Sequence, residues 1–199
     1  MLYHQCIWKM PSTEKKIYLT FDDGPHPLIT NFVLDELKQY NASASFFCIG
    51  DNVKKFPETY HRIINEGHTV GNHTFNHLNG WKTPDEKYLN NIVEASKWID
   101  SKLFRPPYGK ITRFQISQLH KNRFQMKTIM WTVLSGDFDP KITGEKCLQN
   151  CIKNTSNGSI IVFHDSEKAA ERMQYALPKL LKHYSALGFT FEKLPHSFQ

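Results

Sequence analysis

The stretch Lys16–Pro25, KIYLTFDDGP, decides how the rest of the chain is interpreted. Its first six residues, Lys16–Phe21, are rich in β-branched and aromatic side chains and predict a short buried strand. Two carboxylates, Asp22 and Asp23, follow this strand before a Gly-Pro pair ends it. An Asp-Gly-Pro sequence is also common in turns. The pair therefore indicates chemistry only if charged or ligating groups from elsewhere converge on it.

The composition indicates one globular domain. The chain has 199 residues, of which 40% are hydrophobic, and this is enough for a sizeable core within the size range of one α/β domain. We predict an N-terminal extension at 1–15 and a single domain at 16–199. The formal charge of +6 is spread along the chain without a basic run or a helical stripe. We therefore predict no nucleic-acid site, and charge alone leaves the partners and the oligomeric state open.

Targeting signals and cysteines bear on location. Residues 1–15 contain no apolar core of signal-peptide length, and no segment approaches the length of a membrane span. We expect a cytoplasmic location, or the cell envelope or exterior if the N-terminus is processed or incomplete. The cysteines are too few for a disulfide framework, so we interpret them as core thiols rather than metal ligands, as a reducing compartment allows. They are Cys6, Cys48, Cys147 and Cys151.

Strands and helices alternate along the whole chain. Apolar runs predict strands at 16–21, 42–49, 68–73, 103–105, 126–133, 159–163 and 189–191. Helical periodicity predicts helices at 29–40, 57–66, 85–102, 111–121, 143–154 and 169–187. About seven βα units of this kind imply parallel strands. The fold class is α/β, either a distorted or incomplete (β/α) barrel or a doubly wound open sheet, and periodicity alone does not separate the two.

Polar side chains follow nearly every predicted strand. In both architectures, functional groups collect at the carboxyl ends of the strands. Convergence of five such ends favours chemistry over a simple turn at the first of them. The residues at these ends are Asp22 and Asp23, His73 with His77, Arg105, Asp137 with Asp139, and His164 with Asp165.

The two histidines predict a metal site. Their spacing of four puts both imidazoles of His73 and His77 on one face of a helical turn, and an aspartate would complete a three-ligand set with open positions. A metal in such a site lowers the pKa of bound water and polarises a carbonyl group. The other aspartate could act as base, His164 could protonate a leaving group, and Arg105 could hold the base carboxylate. The residues alone do not say which aspartate has which role.

Four motifs resemble, in order and spacing, those of the polysaccharide deacetylase family with the NodB homology domain, carbohydrate esterase family 4. They are TFDDGP at 20–25, HTFNH at 73–77, RPPY at 105–108 and VFH at 162–164, and the resemblance extends from Lys16 to about Leu194. It implies a distorted (β/α) barrel and a hydrolase that depends on a divalent metal, zinc or else cobalt or another ion. The implied substrate is an acetylated carbohydrate, such as the N-acetylglucosamine of peptidoglycan or chitin oligomers, with O-acetyl groups as a further option.

The resemblance also assigns roles by matching position. It implies that Asp22 is the general base and that Asp23, His73 and His77 hold the metal. Arg105 would orient the base, and His164 would protonate the departing amine. The backbone N–H of Tyr108 would stabilise the oxyanion, and Val162 and Phe163 would lie near a pocket for the acetyl methyl. The implied substrate contacts are Pro107, Tyr108, Phe138, Val162 and Phe163.

The fourth motif departs from the family pattern. The family usually has Asp-x-x-Asp-Trp after the fifth strand, and the aligned stretch is LSGDF at 134–138. Leu134 takes the place of the first acid, and Phe138 takes the place of Trp, which keeps an aromatic wall but removes an N–H donor. The acid that tunes the catalytic histidine would then be Asp137, or Asp139, or be absent.

Two other functions stay open at the level of sequence. One is a non-catalytic glycan-binding relative that keeps the fold, although the intact set of aspartates, histidines and arginine argues against it. The other is a hydrolase of a small non-polymeric amide or ester, which the lack of a visible export signal leaves possible.

Overall fold

The computed structural model describes residues 5–121 and 124–196, so residues 1–4 of the predicted extension and 197–199 of the predicted domain lie outside the described residues. Its centre is a curled sheet of parallel strands in the order β5-β4-β3-β2-β1-β7-β6, with β8 paired to the start of β1. The strands are β1 (Lys16–Asp22), β2 (Ala44–Cys48), β3 (Thr69–Asn72), β4 (Leu103–Phe104), β5 (Lys127–Thr128), β6 (Val133–Leu134), β7 (Ile160–His164) and β8 (Thr190–Phe191).

Helices cover the outer face of this sheet. They are α1 (Ile29–Gln39), α2 (Gly50–Lys55), α3 (Pro57–Asn65), α4 (Asp85–Ala95), α5 (Arg113–Leu119), α6 (Gly144–Asn154) and α7 (Ala170–Ala186), with a short 3₁₀ helix at Pro107–Gly109. The alternating order agrees with the predicted βα units. Among the described residues, no helix is both long and apolar enough to cross a lipid bilayer.

The edge strands show that the sheet is curled. Strands β5 and β6 lie at opposite ends of the strand order, but only residues 129–132 join them. In a flat sheet, six inter-strand steps would separate these strands by roughly 29 Å, whereas the connection spans at most about 19 Å. Residues before β1 lie in the gap, where Ile7 N donates to Thr128 O and Met10 N donates to Gly158 O, both at 2.9 Å. The predicted distorted (β/α) barrel is confirmed.

Strand β1 divides its side chains between two environments. Ile17, Leu19 and Phe21 pack with the helices in the main hydrophobic core, while Tyr18 packs inside the barrel. Successive side chains of a strand alternate between its faces. Asp22 therefore belongs to the inner face and lies at the mouth of the barrel, at the carboxyl end of the central strand.

Two predicted elements were wrong in extent. The predicted helix 85–102 ends at Ala95, where Lys97 N and Trp98 N bond the carbonyls three residues back and turn the chain so that Ile99 enters the core. The predicted strand 126–133 is broken into β5 and β6 because the Arg105 side chain bonds the carbonyl groups of Ile129 and Met130. Helix α2 was not predicted.

The cysteines are all buried and free, which confirms the interpretation as core thiols. Cys147 and Cys151 face the main core from α6, and Cys48 faces it from β2. Burial raises the pKa of the Cys147 thiol to about 12, so this side chain behaves as a small apolar group.

Candidate active site

The chain turns sharply after β1, so the two adjacent aspartates meet different partners. Asp23 has φ 85, in the left-handed region that Asp tolerates better than most residues, and the Gly24–Pro25 peptide bond is cis. Gly24 N donates to Asp165 Oδ1 at 2.9 Å. A Cβ atom at Gly24 would lie 2.0 Å from that carboxylate, so only glycine fits. Asp165 therefore fastens the aspartate loop to the end of β7.

Asp165 is an interior carboxyl group that sequence reasoning placed at the rim without a role. Its other oxygen accepts a hydrogen bond from Thr30 Oγ1 at 2.5 Å. Burial raises the pKa of Asp165 to about 7. No local pattern links Thr30 on α1 to Asp165, because the contact depends on how α1 packs beside β7.

Asp23, His73 and His77 converge on one point. Asp23 Oδ1 lies 3.7 Å from His73 Nε2 and 3.2 Å from His77 Nε2, and the possible ligand atoms of the three residues lie within 4.8 Å of one another. Asp23 Oδ1 is buried without a hydrogen-bond partner among the described residues. A buried carboxylate oxygen is costly to leave unpaired. An oxygen and two imidazole nitrogens form the donor set of a catalytic zinc site, so these residues fit a divalent cation.

The Nδ1 atom of each imidazole, the ring nitrogen farther from Asp23, also has a partner. His73 Nδ1 lies 2.7 Å from the carbonyl oxygen of Arg105, and His77 Nδ1 lies 3.1 Å from the hydroxyl of Tyr108. A carbonyl only accepts, so His73 Nδ1 carries the proton and the lone pair of Nε2 faces Asp23. Burial lowers the pKa of His73 to about 4, which keeps it in the neutral form that binds metals.

The imidazoles around Asp23 favour the charged form of its carboxyl group. Burial alone would raise the pKa of the Asp23 carboxyl, but the imidazoles of His77, His164 and His73 bring it below its ordinary value. Asp23 is therefore a carboxylate, the form that serves as a ligand.

The prediction of a helical turn at the histidine pair was wrong. Residues 73–77 form an irregular loop after β3, in which Thr74 has φ 64 and His77 has φ 56. Asn91 on α4 fixes this loop, because its Oδ1 accepts from the backbone N–H groups of Phe75 and Asn76 at 2.9 and 3.0 Å. The imidazoles still meet, with ring centroids 5.1 Å apart, through two left-handed residues rather than through helical geometry.

Asp22 is paired with a fully buried arginine. Arg105 Nη1 donates to Asp22 Oδ1 and to Thr20 Oγ1, both at 2.7 Å. Arg105 Nε and Nη2 donate to the carbonyls of Ile129 and Met130 at 3.3 and 3.0 Å. Every part of the guanidinium is therefore bonded, and it neutralises and orients the Asp22 carboxylate. Thr20 was missed, although its position two residues before Asp22 places it on the same strand face.

The Arg105 guanidinium also has aromatic contacts. It lies 4.1 Å from the ring centroid of Phe47 and 5.7 Å from that of Trp131. These rings shield the ion pair from solvent, which strengthens its electrostatic interactions.

His164 ends β7 directly beside Asp22 in the strand register. The Asp137 carboxylate contacts His164 through both of its oxygens. Oδ1 lies 2.7 Å from His164 Nδ1, and Oδ2 accepts a hydrogen bond from His164 N at 2.7 Å. Burial alone would lower the pKa of His164, but the Asp137 carboxylate raises it to about 9. His164 is therefore protonated at neutral pH, with Nε2 available for proton transfer.

Only one of the two candidate acids reaches this histidine. Asp139 Oδ1 instead accepts from the backbone N–H of Lys141 at 2.9 Å and stabilises its own turn. Arg172 on α7 holds the Asp137 loop, because its Nε donates to Asp137 O at 2.7 Å. Arg172 was missed, and no sequence signal identifies it, since the contact is made between distant segments.

The predicted substrate contacts are only partly brought together. Tyr108 is 60% exposed at the mouth of the site and has φ 61, and its ring lies 4.5 Å from that of His77. The Phe138 ring lies 5.3 Å from that of His164. Val162 is buried on the same face of β7 as His164, and Pro107 is buried beneath Tyr108 in the 3₁₀ helix.

The prediction that Phe163 lies near a pocket for the acetyl methyl was wrong. It lies on the opposite face of β7 from His164 and packs against Phe21 in the helix-facing core, with ring centroids 6.0 Å apart. It has no exposed surface. The alternation of a strand makes it impossible for neighbours in sequence to share a face, so Phe163 does not line a pocket beside His164.

Comparison with known proteins connects this geometry to a family. Residues 9–126 match the family described as polysaccharide deacetylase. The chain is 36% identical over 190 residues to a peptidoglycan-N-acetylglucosamine deacetylase of Bacillus cereus, covering 92% of this chain and 88% of the relative. It is 30% identical over 210 residues to a chitooligosaccharide deacetylase of Azorhizobium caulinodans, covering 94% and 96%.

A solved structure gives the same result. A peptidoglycan N-acetylglucosamine deacetylase crystallised with 4-naphthalen-1-yl-N-oxidanyl-benzamide superposes with a TM-score of 0.90 at 32% identity. The superposition covers 98% of this chain and 93% of that one. The structural similarity therefore extends over nearly the whole chain.

Proposed function

Since the chain belongs to the polysaccharide deacetylase family, we propose that it hydrolyses N-acetyl groups on an N-acetylglucosamine-containing glycan such as peptidoglycan or chitin oligomers, with a divalent metal as cofactor. The main support for metal dependence is the Asp23 Oδ1 atom, which is buried without a hydrogen-bond partner among the described residues. It lies 3.2 Å from His77 Nε2 and 3.7 Å from His73 Nε2. Zinc is the ion we propose, because nitrogen and carboxylate donors in a three-ligand set suit it.

The metal and the protein residues have separate tasks. A divalent cation held by Asp23, His73 and His77 would polarise the acetyl carbonyl and lower the pKa of a water molecule there. Asp22, next to this triad in the chain, accepts the proton of the attacking water as the new C–O bond forms. Arg105 keeps the Asp22 carboxylate in one orientation for this transfer. The backbone N–H of Tyr108 donates to the developing oxyanion.

His164 completes the reaction. An amine is a poor leaving group unless its nitrogen is protonated as the C–N bond breaks. His164, protonated at neutral pH through Asp137, delivers that proton from Nε2, and the products are acetate and a free amine. An acid in this position makes cleavage of an N-acetyl group possible, which needs protonation of the leaving nitrogen more than an O-acetyl group needs protonation of its alkoxide.

An acetate-release assay tests the proposal. Chelation should abolish acetate release from chito-oligomers and peptidoglycan fragments, and added Zn²⁺ or Co²⁺ should restore it. Asp22→Asn should lose turnover but retain metal, whereas His77→Ala should lose the metal. Release that is indifferent to chelation would overturn the metal mechanism, and loss of metal from Asp22→Asn would reverse the roles of the two aspartates. Glycan binding without acetate release would instead support a non-catalytic relative.

A further inference from the structure

Trp81 and Lys110 form an exposed pair on the same end of the barrel as the site. Trp81 lies in the loop between β3 and α4, and Lys110 follows the 3₁₀ helix after β4. Loops that follow strands lie at the carboxyl end of a (β/α) barrel. The two residues are four positions beyond His77 and two beyond Tyr108. We call them the Trp81–Lys110 platform.

Hydrogen bonds fix this platform to the site. Gly80 N donates to Lys110 O at 3.1 Å, and Trp81 Nε1 donates to Ile111 O at 2.9 Å. The same two loops are joined at the site by the 3.1 Å contact between His77 and the Tyr108 hydroxyl. The platform is therefore a continuation of the walls of the site and does not depend on a separate flexible segment.

The Trp81 indole is exposed although its polar atom is satisfied. Its side chain is 54% exposed, while its only donor is bonded to backbone. Lys110 Nζ lies 4.1 Å from the ring centroid and, among residues 5–121 and 124–196, has no carboxylate within ion-pair distance. The rim thus presents an indole ring held in one orientation, with an unpaired cation over one face of the ring.

We propose that the Trp81–Lys110 platform binds a further sugar residue of the glycan whose acetyl group occupies the site, together with a carboxylate on that chain. The C–H face of a sugar ring matches the exposed part of the indole that Lys110 leaves uncovered, and a carboxylate complements the unpaired Lys110 ammonium. This inference rests on the proposed deacetylase function and makes a carboxylate-bearing glycan the favoured polymer.

Trp98 is a matched control within the same chain. It is also exposed, at 41%, and also has a lysine over its ring, with Lys54 Nζ 5.7 Å from the centroid. It lies between α4 and β4 and contacts Lys54 of α2, so it is not part of the loops after β3 and β4 that carry the platform. Loss of Trp98 removes an exposed indole without touching the platform.

The test measures kcat/KM for neutral chito-oligomers, from a dimer to a hexamer, and for peptidoglycan fragments that carry carboxylates. Trp81→Ala should leave the shortest oligomers unaffected and lower the value for the longest by roughly 3- to 10-fold. Lys110→Gln should act only on carboxylate-bearing fragments, by roughly 2- to 5-fold, and high salt should remove that difference. Trp98→Ala should resemble wild type throughout. Trp81→Leu, which keeps an apolar side chain, repeats the comparison if Trp81→Ala is unfolded.

The outcomes distinguish failure of the proposed platform from failure of the proposed deacetylase function. If Trp81 and Trp98 variants behave alike on every oligomer, the sugar site is overturned. If Lys110→Gln affects neutral and charged substrates equally, or neither, the carboxylate is overturned. If wild type releases no acetate, the proposed function fails, and calorimetry of hexamer binding to wild type and Trp81→Ala still decides on the platform: weaker binding supports it, and equal binding overturns it.

Discussion

The β4 side of the site and its β7 side are built in different ways. On the β4 side, the single segment Arg105–Tyr108 supports three groups: its guanidinium bonds Asp22, its backbone carbonyl bonds His73, and its tyrosine hydroxyl contacts His77. On the β7 side, the Asp137 carboxylate bonds His164 through both of its oxygens, and Asp165 separately fastens the aspartate loop through Gly24. The proposed base and the two imidazole ligands therefore share one support, while the proposed acid has its own.

Because of this difference, we expect substitutions on the two sides of the site to have different effects. Damage to the β4 side affects stability, metal binding and the base together. Loss of the Asp137 carboxylate on the β7 side should change proton transfer and its pH dependence while the metal ligands stay in place. The following variants test this contrast, beginning with the largest expected effect.

Arg105→Met should cause the greatest loss. It leaves the Asp22 carboxylate buried without its partner, and breaking a buried ion pair in this way typically costs about 3–5 kcal/mol. The free energy of unfolding, measured with urea, should fall by this amount. Arg62→Met is the matched control, because the ion pairs of Arg62 with Asp35 and Glu66 lie at the surface and contribute about 0–1 kcal/mol. Equal losses in the two variants would contradict the central role of Arg105.

Asp137→Asn should lower kcat on the order of 100-fold while metal content stays at the wild-type level. The amide removes the charge that raises the pKa of His164 to about 9, so the basic limb of the pH–rate profile should move to lower pH. Asp139→Asn is the control and should leave the profile unchanged, because Asp139 bonds Lys141 N in its own turn. A shift in Asp139→Asn, or loss of metal from Asp137→Asn, would refute the separation of the two sides.

The Asp137–His164 contact should also make the free energy of unfolding depend on pH in chelator-treated protein. The folded-state pKa of His164, about 9, lies above its ordinary value of 6.5. A raised pKa contributes stability that is fully present below the unfolded-state value and is lost as pH rises through the folded-state value. The free energy of unfolding of wild type relative to Asp137→Asn should therefore decrease between about pH 6.5 and pH 9. A difference that stays constant across this window would exclude Asp137 as the cause.

Tyr108→Phe should have the smallest effect. It removes the hydroxyl that contacts His77 Nδ1, and loss of such an outer partner weakens metal binding by about 10-fold. Competition with a metal-sensitive dye measures this affinity independently of activity. Tyr175→Phe is the control, since Tyr175 is also exposed and its hydroxyl bonds Glu145 on the outer surface. Unchanged affinity in Tyr108→Phe would show that His77 needs no support from the β4 side.

Several features of the site could be predicted because they depend on local sequence. The apolar run before Asp22 predicts a strand, and its alternation fixes which side chains share the face of Asp22. The same rule also predicts that Phe163 faces away from His164, so its placement beside the acetyl pocket was an avoidable error. The family motifs separated the two aspartates, which the chemistry of identical side chains could not do.

Other features could not be predicted, because they depend on contacts between distant residues. The end of the predicted strand 126–133 follows from the Arg105 side chain, which lies more than twenty residues earlier in the chain. The helical turn at His73–His77 was a reasonable inference from spacing, but the bonds from Asn91 on α4 select a loop instead. The choice of Asp137 over Asp139 depends on the path of a loop that Arg172 holds.

The sequence by itself determined the order of strands and helices, the inner face of β1, and the set of ionisable residues at the strand ends, because periodicity and turn chemistry are properties of neighbouring residues. Only the tertiary structure decided which of those residues meet. Closure of the sheet brings Asp23 to the two imidazoles, Arg105 to Asp22 and Asp137 to His164. Such pairings depend on distances across the barrel, and these are set by packing of the whole core rather than by any local pattern.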